Sequence, residues 1–225
     1  MKPRFSICIP TYEQGGNGVK HLKRLLESIE SQTFKDYEII ISDHSRNNEV
    51  MSYTEGLDCK YIWNPTKYGN GPANTNSAIV NASGELIKIM FQDDLLHSPD
   101  CLSIIDENFD EYTDWLVVGC NHSHNPGMFY NPMVPRWNDD IIRGVNTISS
   151  PSVLTIRNKD LSYFDENLEV MMDCDYYYQL YNRFGLPKIV PDTLITNTIH
   201  RHQISNRNDL DLPKELEYIK MKYSL

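Results

Sequence analysis

Residues 5–30 read FSICIPTYEQGGNGVKHLKRLLESIE, and this stretch places an apolar segment, a polar loop and a helical pattern in direct succession. The apolar segment Phe5–Ile9 stops at Pro10, and the polar residues 11–18 that follow contain three glycines. Apolar side chains then recur every three or four residues, as they do on the buried face of a helix. The stretch therefore predicts a strand–loop–helix unit at the start of an α/β domain.

The same alternation of strands and helices continues as far as about residue 100. Strands are expected at Tyr37–Ser42, Lys60–Trp63 and Leu86–Phe91, and a helix is expected from Ala73 to Ala82. Strands that alternate with helices of this size form βαβ units, whose strands pair in parallel. The first half of the chain therefore predicts a mostly parallel central sheet that is flanked by helices.

The second half of the chain is less regular, but its segments suit a continuation of the same sheet. Strands are expected at Trp115–Cys120 and Ser152–Arg157, and an extended segment is expected at Lys188–Thr198. Helices are expected at Asp173–Phe184 and Pro213–Tyr223. Residues 121–148 are too many for a simple connection, so we expect a functional loop there. Because no Gly/Ser linker divides the chain, we predict a single domain over residues 1–225.

Composition and charge limit the classes of function. Hydrophobic residues make up 40% of the chain and charged residues 23%, which is typical of a soluble globular protein. The 21 basic and 31 acidic residues give a formal net charge of −10, so nucleic acid is not an expected partner. The apolar runs are only as long as strands, and the N-terminus carries no apolar core of a signal peptide. Five scattered cysteines without a CxxC pair favour a reducing cytoplasm over a zinc site or a disulfide framework.

Polar side chains gather where the predicted strands end. Thr11 and Glu13 follow the first predicted strand, and Asp43 follows the second. Asp93 and Asp94 follow the fourth, Leu86–Phe91. In open α/β sheets, ligands bind in the crevice outside the carboxyl ends of the strands. The acidic pair offers hard oxygen donors that suit Mg²⁺ or Mn²⁺, whereas helix capping or a solvated turn are the structural alternatives for these aspartates. The sequence therefore predicts a ligand site at this edge of the sheet.

Six groups of residues resemble, in order, the motifs of the family 2 glycosyltransferases, which have the GT-A fold. These groups are Ser6–Glu13, Leu25–Ile29 with Gln32 and Thr33, Tyr37–Asp43, Asn76 with Ala82, Gly84 and Glu85, Gln92–Asp94, and Tyr163–Leu168 with Met172 and Asp173. The resemblance implies a Rossmann-like α/β fold, with about residues 1–100 binding the nucleotide sugar and about residues 101–225 binding the acceptor. It also implies inverting transfer of a sugar from a nucleoside diphosphate to a hydroxyl of a glycan or lipid-linked acceptor.

The resemblance also implies the roles of individual residues. The residues implied in nucleotide binding are Pro10, Thr11, Tyr12, Glu13, Asp43, Asn76, Gln92 and Asp93. Asp94 is implied as the ligand of Mn²⁺ or Mg²⁺, and His202, which with Ser205 matches the family's later histidine, is implied near the metal or the diphosphate. Asp173 is implied as the catalytic base, because attack by the acceptor hydroxyl requires a group that removes its proton.

The metal motif departs from the family pattern, which is Asp-x-Asp. Counted back from Pro99, Gln92 takes the place of the first aspartate; counted forward from Gly84, Phe91 does. We prefer the first count, because it keeps an acidic residue at both of the following positions and makes Asp94 the metal ligand.

The catalytic motif departs as well, because Met172 stands where glutamate is usual, while Asp173 keeps the carboxylate. Asp175 is an alternative base, although residues two apart on a helix do not share a face. His200 lies two residues before His202, and either histidine has solvent exposure as its structural alternative. A zinc site at His122 and a neighbouring histidine is not expected.

Two other functions remain open on the sequence. A non-catalytic subunit that binds a nucleotide or a glycan would explain the missing first aspartate of the metal motif. A sugar nucleotidyltransferase would also use a metal on an α/β sheet, but it would carry a basic, glycine-rich loop after the first strand. The resemblance to short members of this family also implies a role in the synthesis of bacterial surface polysaccharides. It further implies that the protein associates peripherally with the inner face of the membrane.

Overall fold

The computed structural model describes residues 2–65, 68–125, 127–203 and 210–224. Its strands are β1 Phe5–Thr11, β2 Tyr37–Asp43, β3 Lys60–Trp63, β4 Leu86–Ile89, β5 Leu95–Leu96, β6 Trp115–Asn125, β7 Met128–Met133, β8 Leu154–Arg157 and β9 Lys188–Thr198. Its helices are α1 Gly18–Glu30, α2 Glu49–Thr54, α3 Gly71–Val80, α4 Cys101–Asn108, α5 Met172–Phe184 and α6 Leu212–Tyr223.

The strands form one sheet in the order β3-β2-β1-β4-β8-β6-β9-β5, and β7 pairs with β6 outside this path. Pairing is parallel from β3 through β2 and β1 to β4, as the alternation of strands and helices predicts. β8 is antiparallel to both of its neighbours, β4 and β6, and β6 is parallel to β9. The two halves of the chain therefore share one sheet, and the carboxyl ends of β1, β2 and β4 lie at the same edge.

The core lies around β1, whose side chains are buried on both faces of the sheet. Apolar residues Leu22, Leu25 and Ile29 form the buried stripe of α1, at the spacing that the sequence shows. Gly84 leads into β4 at a point where a side chain has no room, since a Cβ there would lie 2.6 Å from the backbone nitrogen of Ser6. Such close packing fixes the start of β4 against β1, and so fixes the position of the residues that follow β4.

Residues 121–148 are more ordered than the expected loop. β6 continues to Asn125, and its partner β7 turns back along it to Met133. The sequence does not show this hairpin because its strands carry histidine, asparagine and proline instead of alternating apolar residues. The hairpin edge is exposed, and His122 on β6 reaches the cavity described below.

No helix within the described ranges is long and apolar enough to cross a membrane.

Candidate active site

A cavity of about 780 Å³ lies at the carboxyl ends of β1, β2 and β4. The first half of the chain contributes residues that follow these strands, namely Pro10, Tyr12, Gln14, His44, Gln92, Asp93 and Asp94. The second half contributes residues from the start of α5 and the end of β9, namely Glu169, Val170, Met172, Asp173, Asn197 and Ile199. The cavity thus joins the two halves that the sequence separates.

The acidic pair after β4 consists of a partly buried Asp93 and a buried Asp94. The Asp94 carboxylate accepts hydrogen bonds from the backbone N–H of Thr198 at 3.1 Å and the hydroxyl of Ser150 at 3.2 Å. Asp93 lies 2.8 Å from the Nε2 atom of His200. Burial, together with the neighbouring charge of Asp93, raises the pKa of Asp94 to about 7. A cation bound beside this pair would favour its charged form.

Gln92, which replaces the first aspartate of the expected metal motif, holds the backbone of the first loop. Its Oε1 atom accepts a hydrogen bond from the N–H of Tyr12 at 2.8 Å, and its Nε2 atom donates to the carbonyl of Tyr12 at 3.0 Å. The amide therefore ties the end of β1 to the end of β4. This geometry accounts for a neutral residue at the position, because a carboxylate could not donate the second bond.

A lysine lies under the acidic pair and is not evident as a site residue from the sequence. Lys88 on β4 is fully buried, and its Nζ atom donates to the backbone carbonyls of Ser152 and Leu154. Burial lowers the pKa of Lys88 to about 7, and the charge of Asp94 opposes this shift. The site therefore contains a buried amine behind its buried carboxylate.

The first turn of α5 presents two carboxylates in different directions. Asp173 lines the cavity, and its carboxylate accepts no hydrogen bond from the described part of the chain. Removal from water and the charge of Asp94 raise the pKa of Asp173 to about 7. Asp175, by contrast, is fully buried and accepts hydrogen bonds from Lys222, Tyr223 and Gln179. The expectation that only one of the two aspartates faces the cleft thus matches the structure.

Asp43, which the resemblance implies as a nucleotide ligand, is fully buried and is not among the residues that line the cavity. Its Oδ1 atom accepts hydrogen bonds from the N–H and hydroxyl of Ser45 at 2.9 and 2.6 Å and from the hydroxyl of Thr11 at 3.3 Å. Its Oδ2 atom accepts one from the hydroxyl of Tyr61 at 2.7 Å. In this structure Asp43 and Thr11 shape the ends of β1 and β2 from behind the cavity wall.

Asn76 is likewise placed behind the cavity. Its side-chain amide exchanges two hydrogen bonds of 2.9 Å with the backbone of Phe164, which ties α3 to the segment before α5. The neighbouring Asn74 and Thr75 line the cavity instead. Both polar atoms of the Asn76 side chain are thus engaged with the Phe164 backbone, and the nucleotide contact implied for Asn76 stays a prediction.

Glu13 reaches the cavity only through another residue. Its carboxylate accepts hydrogen bonds from the hydroxyl of Tyr68 at 2.7 Å and from the N–H of Arg46 at 3.3 Å. The Arg46 guanidinium lies 3.6 Å from the centre of the Tyr68 ring, and Tyr68 lines the cavity. Glu13 therefore holds a cavity-lining tyrosine in place.

Neither of the two late histidines is among the residues that line the cavity, but His200 contacts the acidic pair. His202, the expected metal ligand, is not among the cavity-lining residues; its ring lies against Gly15 and accepts a hydrogen bond from Arg201 Nε at 3.0 Å. His200 contacts Asp93 instead and stacks on the ring of His21. Ser205, expected to act with His202, lies outside the described residues.

Two buried polar side chains that the sequence did not single out also line the cavity. His44 is 2% exposed and Gln14 is 4% exposed. Neither the Nε2 atom of His44 nor the Oε1 atom of Gln14 has a hydrogen-bond partner within the described residues. Gln14 also has a φ of 44°, a left-handed conformation that residues other than glycine rarely adopt. Their signal in the sequence is position alone, since each follows the end of a strand.

The donors at the cavity suit a divalent cation whose coordination is completed by a ligand. Within the described ranges, no three His, Cys, Asp or Glu side chains are grouped so that they could hold a metal ion by themselves. Burial and the neighbouring charge of Asp93 both disfavour the ionised form of Asp94 and raise its pKa, and a bound cation would offset both effects. Mg²⁺ is typically bound by one or two carboxylates together with substrate phosphates, and the acidic pair fits that mode.

Comparisons with known proteins agree with this geometry. One curated relative is the GalNAc(5)-diNAcBac-PP-undecaprenol beta-1,3-glucosyltransferase of Campylobacter jejuni, which is 34% identical over 102 residues, 43% of this chain and 31% of that protein. Another is an uncharacterized glycosyltransferase of Rickettsia typhi, which is 24% identical over 228 residues, 91% of this chain and 66% of that protein. The matched parts therefore span about one third and two thirds of these relatives.

Solved structures share the fold. TarS residues 1–349 from S. aureus, in complex with UDP-GlcNAc, superimposes with a TM-score of 0.73 at 20% identity over 96% of this chain and 64% of that chain. The mannosyltransferase PcManGT from Pyrobaculum calidifontis, in complex with GDP-Man and Mn²⁺, gives a TM-score of 0.63 at 17% identity over 89% of this chain and 58% of that chain. The α/β fold of the GT-A glycosyltransferases, expected from the sequence, is confirmed.

The family assignment rests on the length of the match as well as on the fold. Residues 6–186 match the family model described as Glycosyl transferase family 2, so the match includes both the acidic pair after β4 and the first turn of α5. The chain belongs to glycosyl transferase family 2.

Proposed function

We propose that the protein is an inverting glycosyltransferase that moves a sugar from a nucleoside diphosphate to a hydroxyl of a glycan or lipid-linked acceptor. The observation that carries this proposal is the shared cavity, which brings the acidic pair of the first half close enough to Asp173 of the second half for their charges to interact. Direct displacement has two demands, which are stabilisation of a leaving diphosphate and removal of a proton from the attacking hydroxyl. The two halves of the cavity offer one group for each demand.

The donor would bind at the ends of β1, β2 and β4. The cavity of about 780 Å³ is large enough for a nucleotide sugar, and the structural neighbours are described as complexes with UDP-GlcNAc and GDP-Man. His44 and Gln14 present unpaired polar atoms beside Pro10 and Tyr12, so we assign them to the nucleoside part of the donor. Asp43 would act one layer behind them, by fixing the loop that carries His44.

The leaving diphosphate would lie beside Asp93 and Asp94. These two residues would hold Mn²⁺ or Mg²⁺, which supplies Lewis-acid stabilisation of the charge that develops on the diphosphate. The hydrogen bonds from Ser150 and Thr198 keep the Asp94 carboxylate fixed at the cavity wall.

Asp173 would act as the general base. A base works best when its pKa lies close to the working pH, and the surroundings of Asp173 raise its pKa to about 7. Its carboxylate faces the cavity without an internal hydrogen-bond donor in the described chain, which leaves it available to a substrate hydroxyl. Asp175 is unsuited to this role, because its oxygens already accept hydrogen bonds from α5 and α6.

The acceptor would approach from the second half of the chain. His122, from the β6–β7 hairpin, lines this side of the cavity, and exposed aromatic residues Phe129 and Tyr130 continue along the hairpin. The C. jejuni relative is named for a polyprenol-linked acceptor. We therefore propose a glycan or lipid-linked acceptor in bacterial surface polysaccharide synthesis, with the protein acting in the cytoplasm at the inner face of the membrane.

The test is incubation of the purified protein with a panel of UDP- and GDP-sugars, with and without Mn²⁺. Metal-stimulated release of the nucleoside diphosphate, followed by transfer with an inverted anomeric centre seen by NMR, is the expected result. Binding of a nucleotide sugar without any turnover, even with acceptors, would instead support a non-catalytic subunit. Release of pyrophosphate from a nucleoside triphosphate and a sugar phosphate would identify a sugar nucleotidyltransferase.

A further inference from the structure

The C-terminal helix α6 holds the turn that carries Asp173, although α6 lies beyond residues 6–186 that match the family. α6 is anchored in the protein by Ile219, which is buried, and by Leu216 and Tyr223, which pack against the core. Its polar residues face α5 and the segment before it. Together, these polar residues contact the chain both before and after Asp173.

Glu215 holds the segment that leads into α5. The first N–H groups of a helix have no partner inside the helix, and the residue before α5, Met171, provides no side-chain cap. The two oxygens of Glu215 accept hydrogen bonds from the N–H groups of Glu169, Val170 and Met171, at distances from 2.8 to 3.2 Å. A carboxylate at this position also interacts favourably with the helix dipole. α6 therefore fixes the three residues that lead directly into α5, the last of which, Met171, is the N-cap of the helix.

Lys222 and Tyr223 hold the other side of the same turn. The Nζ atom of Lys222 lies 2.8 Å from Asp175 and 2.8 Å from Asp165, and the hydroxyl of Tyr223 donates to Asp175 at 2.7 Å. Asp175 is fully buried, whereas the Lys222 side chain stays partly exposed, so the ion pair is shielded from solvent on the aspartate side. The segment before α5 and the first turn of α5 are thus fixed by one helix at positions before and after Asp173.

We propose that α6 is part of the catalytic apparatus and that Glu215 is a positioning residue, which sets the direction of Asp173 toward the acceptor. The inference rests on the proposed role of Asp173 as the base. Among the described residues, the hydrogen bonds that Glu215 accepts from the segment before α5 come from backbone amides, so we infer that it acts through the orientation of the turn and not on the substrate. Because catalytic geometry is sensitive to displacements of about 1 Å, loosening this turn should cost turnover before it costs donor binding.

The experiment compares Glu215→Gln with Glu217→Gln, which changes an exposed glutamate of the same helix. Gln keeps the shape of Glu215 but replaces one of the two accepting oxygens with a donor. We expect kcat of Glu215→Gln to fall by about 10–100-fold, the scale of a misplaced catalytic group, with unchanged affinity for UDP in calorimetry. Glu217→Gln should match the wild type in both measurements.

A purely structural role of Glu215 predicts a different result, namely a lower melting temperature with normal kcat at temperatures where the variant is folded. That result would overturn the proposal. Titration of Asp173 by carbon NMR gives a second readout that needs no activity, and Glu215→Gln should move the midpoint toward the ordinary range of aspartate. If the wild type shows no transfer, the proposed function fails, and an unchanged Asp173 midpoint in the variant would then overturn the positioning role as well.

Discussion

The two walls of the cavity use their acidic residues in opposite ways. In the first half, the Asp43 carboxylate accepts hydrogen bonds from Ser45 and Tyr61 behind the cavity wall, and its neighbour His44 faces the cavity. In the second half, Asp173 faces the cavity, and the nearby Asp175 accepts its hydrogen bonds from residues that include Lys222 of α6. A motif thus locates a functional segment within a few residues, but distant partners determine which member of the segment faces the ligand.

The largest expected effect tests the open carboxylate of the second wall. Asp173→Asn keeps the size of the side chain but cannot take a proton, and general-base catalysis is typically worth ~10²–10⁴-fold. Transfer should fall by about that factor, while UDP affinity stays at the wild-type value, as rate assays and calorimetry would measure.

Asp175→Asn is the matched control for this substitution. Because it removes the charge that pairs with Lys222, it should lower the melting temperature and leave measurable turnover in the folded protein. A fully active Asp173→Asn variant beside an inactive, folded Asp175→Asn variant would reverse the assignment of the two aspartates.

The next effect concerns the acidic pair of the first wall. Asp94→Asn should weaken activation by Mn²⁺ by more than the ~10–100-fold that loss of an outer-shell partner of a metal ligand typically costs. Asp93→Asn should weaken activation less, because Asp93 is already engaged by His200. Mn²⁺ titrations of the transfer rate measure both variants, and the same half-activating concentration in Asp94→Asn and the wild type would contradict the assignment.

A smaller effect on UDP affinity should distinguish the residues that line the first wall of the cavity from those buried behind it. His44→Ala and Gln14→Ala should each weaken UDP binding by about fivefold, since one hydrogen bond contributes roughly 1 kcal/mol. Asp43→Asn should mainly lower the melting temperature, because it disturbs the bonds to Ser45 and Tyr61. If calorimetry shows that only Asp43→Asn weakens binding, the direct nucleotide contact implied by the family resemblance is correct instead.

The smallest effect is a pH dependence of stability. The native state raises the pKa of Asp173 to about 7, so it holds this proton more tightly than the unfolded chain does. Ionising Asp173 therefore costs stability as the pH rises from the ordinary pKa of aspartate to about 7. Asp173→Asn never carries that charge, so its melting temperature relative to the wild type should rise as the pH increases toward about 7 and stay level above it. A difference that is constant over this range would show that burial does not penalise the Asp173 charge.

The sequence predicted the fold well because hydrophobic periodicity is a local property. The expected strand Lys188–Thr198 coincides with β9, and the expected strand Lys60–Trp63 coincides with β3. The short β5 and the hairpin strand β7 were missed, since neither carries an alternating apolar pattern. The helices α2 and α4 were missed as well, although Leu102 and Ile105 of α4 are fully buried, so local patterns were sufficient for most but not all of the elements that form the core.

The candidate site was predicted only in part, because its details depend on contacts between distant residues. Asp94 and Asp173 reach one cavity, as the resemblance implies. The placement of Asn76 depends on Phe164, which is 88 positions away, and no local pattern reports that contact. The choice between His200 and His202 depends in the same way on Asp93 of the first half.

The Gln92 side-chain amide and the Tyr12 backbone exchange two hydrogen bonds, in the way that the backbones of two neighbouring strands do. β1 and β4 exchange parallel backbone bonds as far as Cys8 and Ile89, and the Gln92 amide adds one more crosslink beyond that point. Residue 92 thus belongs to the scaffold, whereas its counterpart in the family motif is a carboxylate. Restoring the motif with Gln92→Asp would shorten the side chain and remove the donor, so the loop after β1 would come loose from the acidic pair. We therefore expect Gln92→Asp to displace the cavity-lining Tyr12 relative to the acidic pair.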